Sequence, residues 1–169
     1  GGSPGGSGAG IHSTAGTLNL TSCTITGNTT GANGYAGGVV ANNAMITSST
    51  IAGNTASGAS GDGGGIFAGG PGFHLRNTIV ANNTAASDQN CNGAETDDGN
   101  NLDSGTSCNL DSGKGSLSNT NPLLGSLADN GGPTQTMAIR PGSPAIDGVT
   151  YNAPNSSPST DQRGLARPQ

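Results

Sequence analysis

The chain has 169 residues and a net charge of −5, with 9% charged and 30% apolar residues, 32 Gly, 19 Asn, two Phe, two Tyr and no Trp. With only five Lys and Arg it lacks the basic surface that a nucleic acid or an anionic membrane requires. No apolar run is long enough to span a bilayer, so membrane insertion is not expected.

The opening Gly-Gly-Ser-Pro-Gly-Gly-Ser-Gly reads as the interior of a repeat protein, a processed piece whose targeting segment is gone. A repeat follows. Thr24-Ile25-Thr26-Gly27-Asn28 returns as Thr50-Ile51-Ala52-Gly53-Asn54 and as Thr78-Ile79-Val80-Ala81-Asn82, at offsets of 26 and 28. Gly10-Ile11, Gly38-Val39 and Gly65-Ile66 keep offsets of 28 and 27, and Leu18/Leu20, Ala44/Ile46 and Phe73/Leu75 keep 26 and 29. The segments are short and alternate apolar with polar, and none shows a helical stripe. Such units bury their apolar face only against copies of themselves. The expected fold is an all-β, right-handed parallel β-helix of about three to four coils. Ile25, Ile51 and Ile79 would stack inward at a spacing of about 4.8 Å. A disordered linker would not hold these positions in register.

Gly and Asn suit the corners, where backbone φ is positive. Asn28, Asn54 and Asn82 are expected to form an amide ladder at one corner. Cys23 is expected to be a free, buried thiol stacked with Ser49 and Asn77. Thr24, Thr50 and Thr78 read as one outward Thr rank. Because Thr26 gives way to Ala52 and Val80, an ice-binding face remains the weaker alternative. Asn19, Asn28, Asn82 and Asn155 head Asn-x-Ser/Thr triplets and are candidate glycan acceptors.

Residues 1–90 carry the repeats, and 91–118 read as a Cys-bounded polar loop with the last coil. Cys91 and Cys108, in a chain with a single Lys, are expected to form an extracellular structural disulfide, with a stabilisation of about 3 kcal/mol in the chain-entropy picture. Glu95, Asp97, Asp98, Asp103 and Asp111 crowd this stretch without a calcium-loop pattern, and they read as a solvated loop. No zinc spacing occurs, and no metal or cofactor is expected.

Residues 119–169 are irregular and rich in Pro and Gly. Pro122, Pro133, Pro141, Pro144 and Pro154 stop regular coils. Leu123, Leu124, Leu127, Met137, Ile139 and Ile146 supply apolar surface, so the segment reads as a cap over the solenoid end or along one face. Arg140, Asp147, Asp161 and Arg163 are its candidate ion-pairing residues. The series Asn121-Pro122-Leu123-Leu124-Gly125, Leu127 to Thr136, Arg140 to Gly148 and Asp161-Gln162-Arg163-Gly164 resembles the C-terminal module of choice-of-anchor Q bacterial surface proteins. The resemblance covers about residues 60–169, with Asn77 to Thr84, Cys91, Asn101-Leu102 and Cys108 matching the family's last coil and loop. It implies secretion and surface exposure, and it transfers no catalytic residues.

The leading expectation is a non-catalytic structural or adhesive protein, extracellular or on a bacterial surface. Its partners would be cell-surface or matrix glycans or further copies in a head-to-tail filament, since the first coil offers an open edge. The alternative is a carbohydrate-active lyase or hydrolase. For that the repeats offer only His12, His74, Arg76, Asp62 and Asp88, with no Trp to stack on sugars.

Overall fold

The computed structural model describes residues 10–32, 34–59, 62–149 and 158–167. They form a parallel β-solenoid of about three turns. The first coil holds β1 (Ile11–Ser13), β2 (Leu18–Thr21) and β3 (Thr24–Thr26); the second holds β4 (Val39–Thr47) and β5 (Thr50–Ala52). The third holds β6 (Ile66–Arg76) and β7 (Ile79–Ala81), and a partial fourth holds β8 (Cys91–Asp97) and β9 (Leu102–Asp103). The long sheet runs β1-β4-β6-β8 with β2 also on β4, and the short sheet runs β3-β5-β7-β9.

Left-handed corners flank β3, β5 and β7 on both sides and β9 on one. On one side stand Ser22, Ser48, Asn77 and Asn100, with φ of 52, 50, 51 and 55°. On the other stand Gly27, Gly53 and Asn82, with φ of 70, 66 and 55°. Corners of this kind hold the short-sheet strands to two or three residues and favour Gly, Asn and Ser over branched side chains.

Inward side chains stack in register. Ile11, Val39, Ile66 and Cys91 form one rank, and Leu18, Ala44 and Phe73 another. Leu20, Ile46 and Leu75 form a third. Phe73, Ile51, Ile66 and Leu75 are fully buried. Burial of each such side chain stabilises the fold by about 1.5–3 kcal/mol.

The third coil corrects the expected register. Ile25 does stack on Ile51, but Ile51 stacks on Val80, and Ile79 pairs with Thr50 on the outward side. The cause lies in β6. Ala41 and Asn43, two positions apart on β4, pair with Ala68 and Gly72, four positions apart on β6. The Gly69-Gly70-Pro71 bulge therefore lengthens the third coil inside a strand, and the spacing beyond it is 29 rather than 28. One residue of slip exchanges the two faces of a strand.

The amide ladder shifts accordingly, and Asn82 is not in it. Asn28 donates through N (3.1 Å) and Nδ2 (3.0 Å) to Asn54 Oδ1, and Asn54 donates through N (2.9 Å) and Nδ2 (3.0 Å) to Asn83 Oδ1. Asn83 repeats the pattern onto Asn90 Oδ1 at 3.1 and 2.9 Å. The amide nitrogens also reach inward carbonyls, Asn54 to Ile25 O and Asn83 to Ile51 O, each at 3.0 Å. Glycine makes room for these side chains: a Cβ on Gly65 would stand 2.6 Å from Asn83 Nδ2. Asn82 instead takes the corner position of Gly27 and Gly53.

A second ladder runs through the other corner. Cys23 N donates to Ser49 Oγ (3.1 Å), Ser49 N to Thr78 Oγ1 (3.5 Å), Thr78 N to Asn101 Oδ1 (2.9 Å) and Asn101 N to Ser116 Oγ (2.9 Å). The partner of Cys23 and Ser49 is thus Thr78, not Asn77. Thr78 is fully buried, so no outward rank of Thr24, Thr50 and Thr78 exists. Cys23 is free as expected but only half-buried, because no coil lies beneath it among the described residues.

The ladder places a register-specific load on one of two adjacent asparagines. Asn83→Ala removes four buried side-chain hydrogen bonds and leaves Asn54 N without its acceptor, where a buried group left unsatisfied costs about 1–3 kcal/mol. Urea unfolding should therefore show a loss of about 3 kcal/mol or more for N83A. Asn82→Gly keeps the positive φ and should stay within about 0.5 kcal/mol of the parent. A larger loss for N82G than for N83A would contradict this register.

Candidate functional site

Two regions concentrate polar chemistry: the closing coil and a cleft beside the C-terminal cap. Glu95, Asp97 and Asp103 of the first are not in a solvated loop, which corrects the expectation from sequence for these three, whereas Asp111 is exposed. In the fourth coil the inward ranks pass to carboxylates: Glu95 pairs with Phe73, Asp97 with Leu75 and Asp103 with Val80. Cys91–Asp97 is a strand, and the chain after β9 folds over its upper edge, where Leu117 pairs with Leu102. The Cys91–Cys108 disulfide is formed, with Cα atoms 4.8 Å apart, and ties this closure to the core.

The buried acids fix the closing segment by accepting its N–H groups. Asp97 (7% exposed) accepts from Gly99 N and Asp111 N (2.8 Å each), Asn101 Nδ2 (2.6 Å) and Ser116 Oγ (2.9 Å). Asp103 accepts from Asn90 Nδ2 (2.5 Å), Gly105 N (2.7 Å) and Cys108 N (3.0 Å). Burial alone pushes the Asp97 carboxyl up, but the four hydrogen bonds together outweigh it and hold it below the usual carboxylate range. Glu95 differs, since neither of its enclosed oxygens has a well-formed hydrogen bond. Burial pushes its carboxyl up, and the charges of Asp103 and Asp88 add to this. Its own backbone and the Asn109 amide offset part of the rise.

The cap lies along the outward face of the short sheet. β10 (Leu124–Ala128) and β11 (Thr136–Ile139) form an antiparallel hairpin. Leu124, Met137 and Ala145 cover Ile79 and Leu102, which are 9% and 4% exposed. Leu123, Leu127, Ile139 and Ile146 stay exposed, so only part of the apolar set expected to dock does so. Outward Ile79 is therefore not a defect of the repeat: it is a residue the cap covers.

Between this face and the cap lies a cleft of about 660 Å³. Its solenoid wall carries the corner rank Ser48, Asn77 and Asn100, together with Cys23, Thr24 and Thr50. Its cap wall carries Asn130, Gln162, Asp147, Asp161, Arg163 and Arg167, two acids against two bases. Thr24 Oγ1 donates to Gln162 Oε1 (2.7 Å) and Gln162 Nε2 donates to Thr134 Oγ1 (3.0 Å), which ties the cap to the first coil. Asp161 and Arg163 form the expected ion pair, Nη2 to Oδ2 at 2.6 Å and Nε to Oδ2 at 2.8 Å. Asp161 Oδ1 also accepts from Arg163 N (2.8 Å) and Leu165 N (3.0 Å), so this carboxylate is held on both oxygens. Among the described residues no ion pair joins Arg140 or Asp147.

The other candidate catalytic groups do not meet there. His12 sits opposite Val40, and His74 opposite Met45, five residues further along β4. His74 Nδ1 lies 3.1 Å from Asp98 Oδ2. Asp62 accepts from Ser87 Oγ, and Asp88 accepts from Asn92 Nδ2 at 2.8 Å. No group of three or more His, Cys, Asp or Glu is arranged to hold a metal among the described residues. Among the candidate glycan acceptors, Asn19 and Asn82 are exposed. The Asn28 amide nitrogen is engaged by Thr26 O and Asn54 Oδ1, so Asn28 does not suit the role. Asn155 lies outside the described residues. Sequence reasoning missed Asn83, Asn90 and the inward acids; the Asn82-Asn83 doublet and the consecutive apolar pair Ile79-Val80 are the signals that could have found the ladder's register.

No family model, curated protein or solved structure matches the chain. The likeness to choice-of-anchor Q proteins therefore rests on the sequence motifs of about residues 60–169 alone.

The two acids of the closing coil shift in opposite directions, and the signs give a test. The folded-state value of Asp97 is depressed, so its contribution is present above its ordinary value of 3.8 and is lost as pH falls through the folded value. That of Glu95 is raised, so its contribution is present below 4.5 and is lost as pH rises through the folded value. Glu95→Gln should raise the melting temperature at pH 7 by a few degrees and lose that advantage in acid, while Asp97→Asn should lower it at pH 7. Melting curves from pH 3 to 8 check both, and a destabilised E95Q at pH 7 would contradict the reading.

Proposed function

We propose that this chain is a non-catalytic structural and adhesive segment of an extracellular or bacterial cell-surface protein of the choice-of-anchor Q type, with glycans as its partners. The Cys91–Cys108 disulfide carries this reading. Cys91 belongs to an inward rank and Cys108 is 1% exposed, so the bond is built into the closed end of the core rather than attached at the surface. A fold closed in this way matures in an oxidising compartment. The cleft supports binding over catalysis. Asp161 is committed to Arg163 and two N–H groups, which leaves Asp147 without a second free acid to work with.

Self-association is proposed at the other end. Among the described residues, β1, β2 and β3 are edge strands with no coil beneath them, and such an edge accepts further strands. The upper edge is covered by the segment ending at Leu117. A head-to-tail polymer would therefore need a joint other than strand continuation.

Surface labelling tests the reading. Intact cells producing the protein should expose it to a membrane-impermeant amine reagent and to protease, with Cys91 and Cys108 oxidised on extraction. Labelling only after lysis, with both thiols reduced, would contradict an extracellular role. Release of sugar fragments from polysaccharide by the purified protein would contradict the non-catalytic part.

A further inference from the structure

We propose that the cleft between the short sheet and the cap takes a neutral, hydroxyl-rich ligand: a linear oligosaccharide lying along the corner rank of the solenoid. This rests on the adhesive reading above and names the site and the ligand class.

Four observations lead there. The cleft's volume, about 660 Å³, lies within the range of small-ligand sites, about 300–1,000 Å³. Its charges balance, Asp147 and Asp161 against Arg163 and Arg167, which disfavours an anionic or cationic chain. Its solenoid wall repeats a hydroxyl or carboxamide on three successive coils, Ser48, Asn77 and Asn100, at the inter-strand spacing of about 4.8 Å. Each such group both donates and accepts, as a sugar hydroxyl does. Finally, the Ser48 hydroxyl at this wall has no protein hydrogen bond, so a rotation that turns it into the cleft breaks none.

A peptide fits less well. On the solenoid wall the N–H and C=O groups of β5 and β7 are used between coils, so these strands offer no edge for strand addition. Ile79 and Leu102 are already covered by the cap, which leaves Leu117 and Ile139 as the exposed large apolar residues of the cleft. The chain has no Trp and no aromatic residue stands among the described residues of the cleft, so sugar binding there rests on hydrogen bonds. Affinity per site is accordingly weak, on the order of millimolar.

The test is a two-dimensional NMR titration of the intact, disulfide-bonded protein. The probes are neutral linear hexasaccharides of glucose, xylose and N-acetylglucosamine, an oligogalacturonate and a Gly/Ser-rich peptide. At least one neutral hexasaccharide should shift the amides of residues 48, 77 and 100 saturably. The Asn77→Gly/Asn100→Gly double variant keeps the positive φ of both corners and removes both amides. It should weaken binding about tenfold or more, while Asn19→Ala on the long sheet leaves binding unchanged. Asp147→Gly, also at a positive φ, supplies an independent loss from the cap wall should the double variant unfold. Unchanged affinity in both cleft variants would overturn the site and leave the adhesive reading intact. Preference for oligogalacturonate or peptide, or saturable binding of none of the saccharides, would overturn the ligand class. Shortening of the bound saccharide would overturn the non-catalytic reading itself.

Discussion

The solenoid depends on side chains that accept the backbone N–H of the coil before them. At the Asn28, Asn54, Asn83 and Asn90 corner the Oδ1 of Asn54, Asn83 and Asn90 each takes both the N–H and the amide of its neighbour. At the Cys23, Ser49, Thr78, Asn101 and Ser116 corner a hydroxyl or carboxamide takes one N–H. These are the points where the chain turns and the strand ladder is interrupted. Buried backbone groups left there without partners would each cost about 1–3 kcal/mol, as much as a buried aliphatic side chain contributes. With 30% apolar residues, the chain has few aliphatic side chains to spare. Polar ladders at the corners let a thin core suffice.

The same logic explains how the solenoid closes. A stack of coils must end with unpaired N–H groups and uncovered apolar ranks. Here the last coil replaces Leu75 and Val80 with Asp97 and Asp103, whose carboxylates gather the N–H groups of the closing segment. Asn90 supplies the final rung of the amide ladder and passes it on to Asp103. The disulfide then fixes the segment to the core. The cap does different work: it covers a side rather than an end, and in doing so it builds the cleft that the proposed function uses.

Much of this was legible in the sequence. The matched Gly-Ile and Gly-Val positions, the Ile25–Ile51 stack and the period follow from spacing, and the disulfide from two cysteines that bracket a polar loop. The third coil was misread because Thr78-Ile79 copies Thr24-Ile25 letter for letter, and identity outweighed spacing. The set Ala44/Ile46 to Phe73/Leu75 already ran at 29, and Gly69-Gly70-Pro71 marked where the extra residues enter. Ile79 and Val80 are both apolar because β7 is buried on both faces, by the core and by the cap. That second burial depends on residues 124–145, far along the chain, so no local pattern announces it. The acids of 95–103 were misread for a related reason. Composition marks them as loop-like, whereas only their register with Phe73, Leu75 and Val80 turns them inward.

Hydrogen exchange of individual backbone amides tests the dependence on these ladders most directly. The N–H groups of Asn28, Asn54, Asn83, Thr78 and Asn101 are bonded to side chains and lie at corners, where backbone pairing alone would leave them open. The account predicts that the amides of Asn54, Asn83, Thr78 and Asn101 exchange as slowly as those of the strand residues Ile51 and Leu75, by global unfolding. Exchange of these corner amides at loop-like rates, with the strand amides still protected, would contradict it.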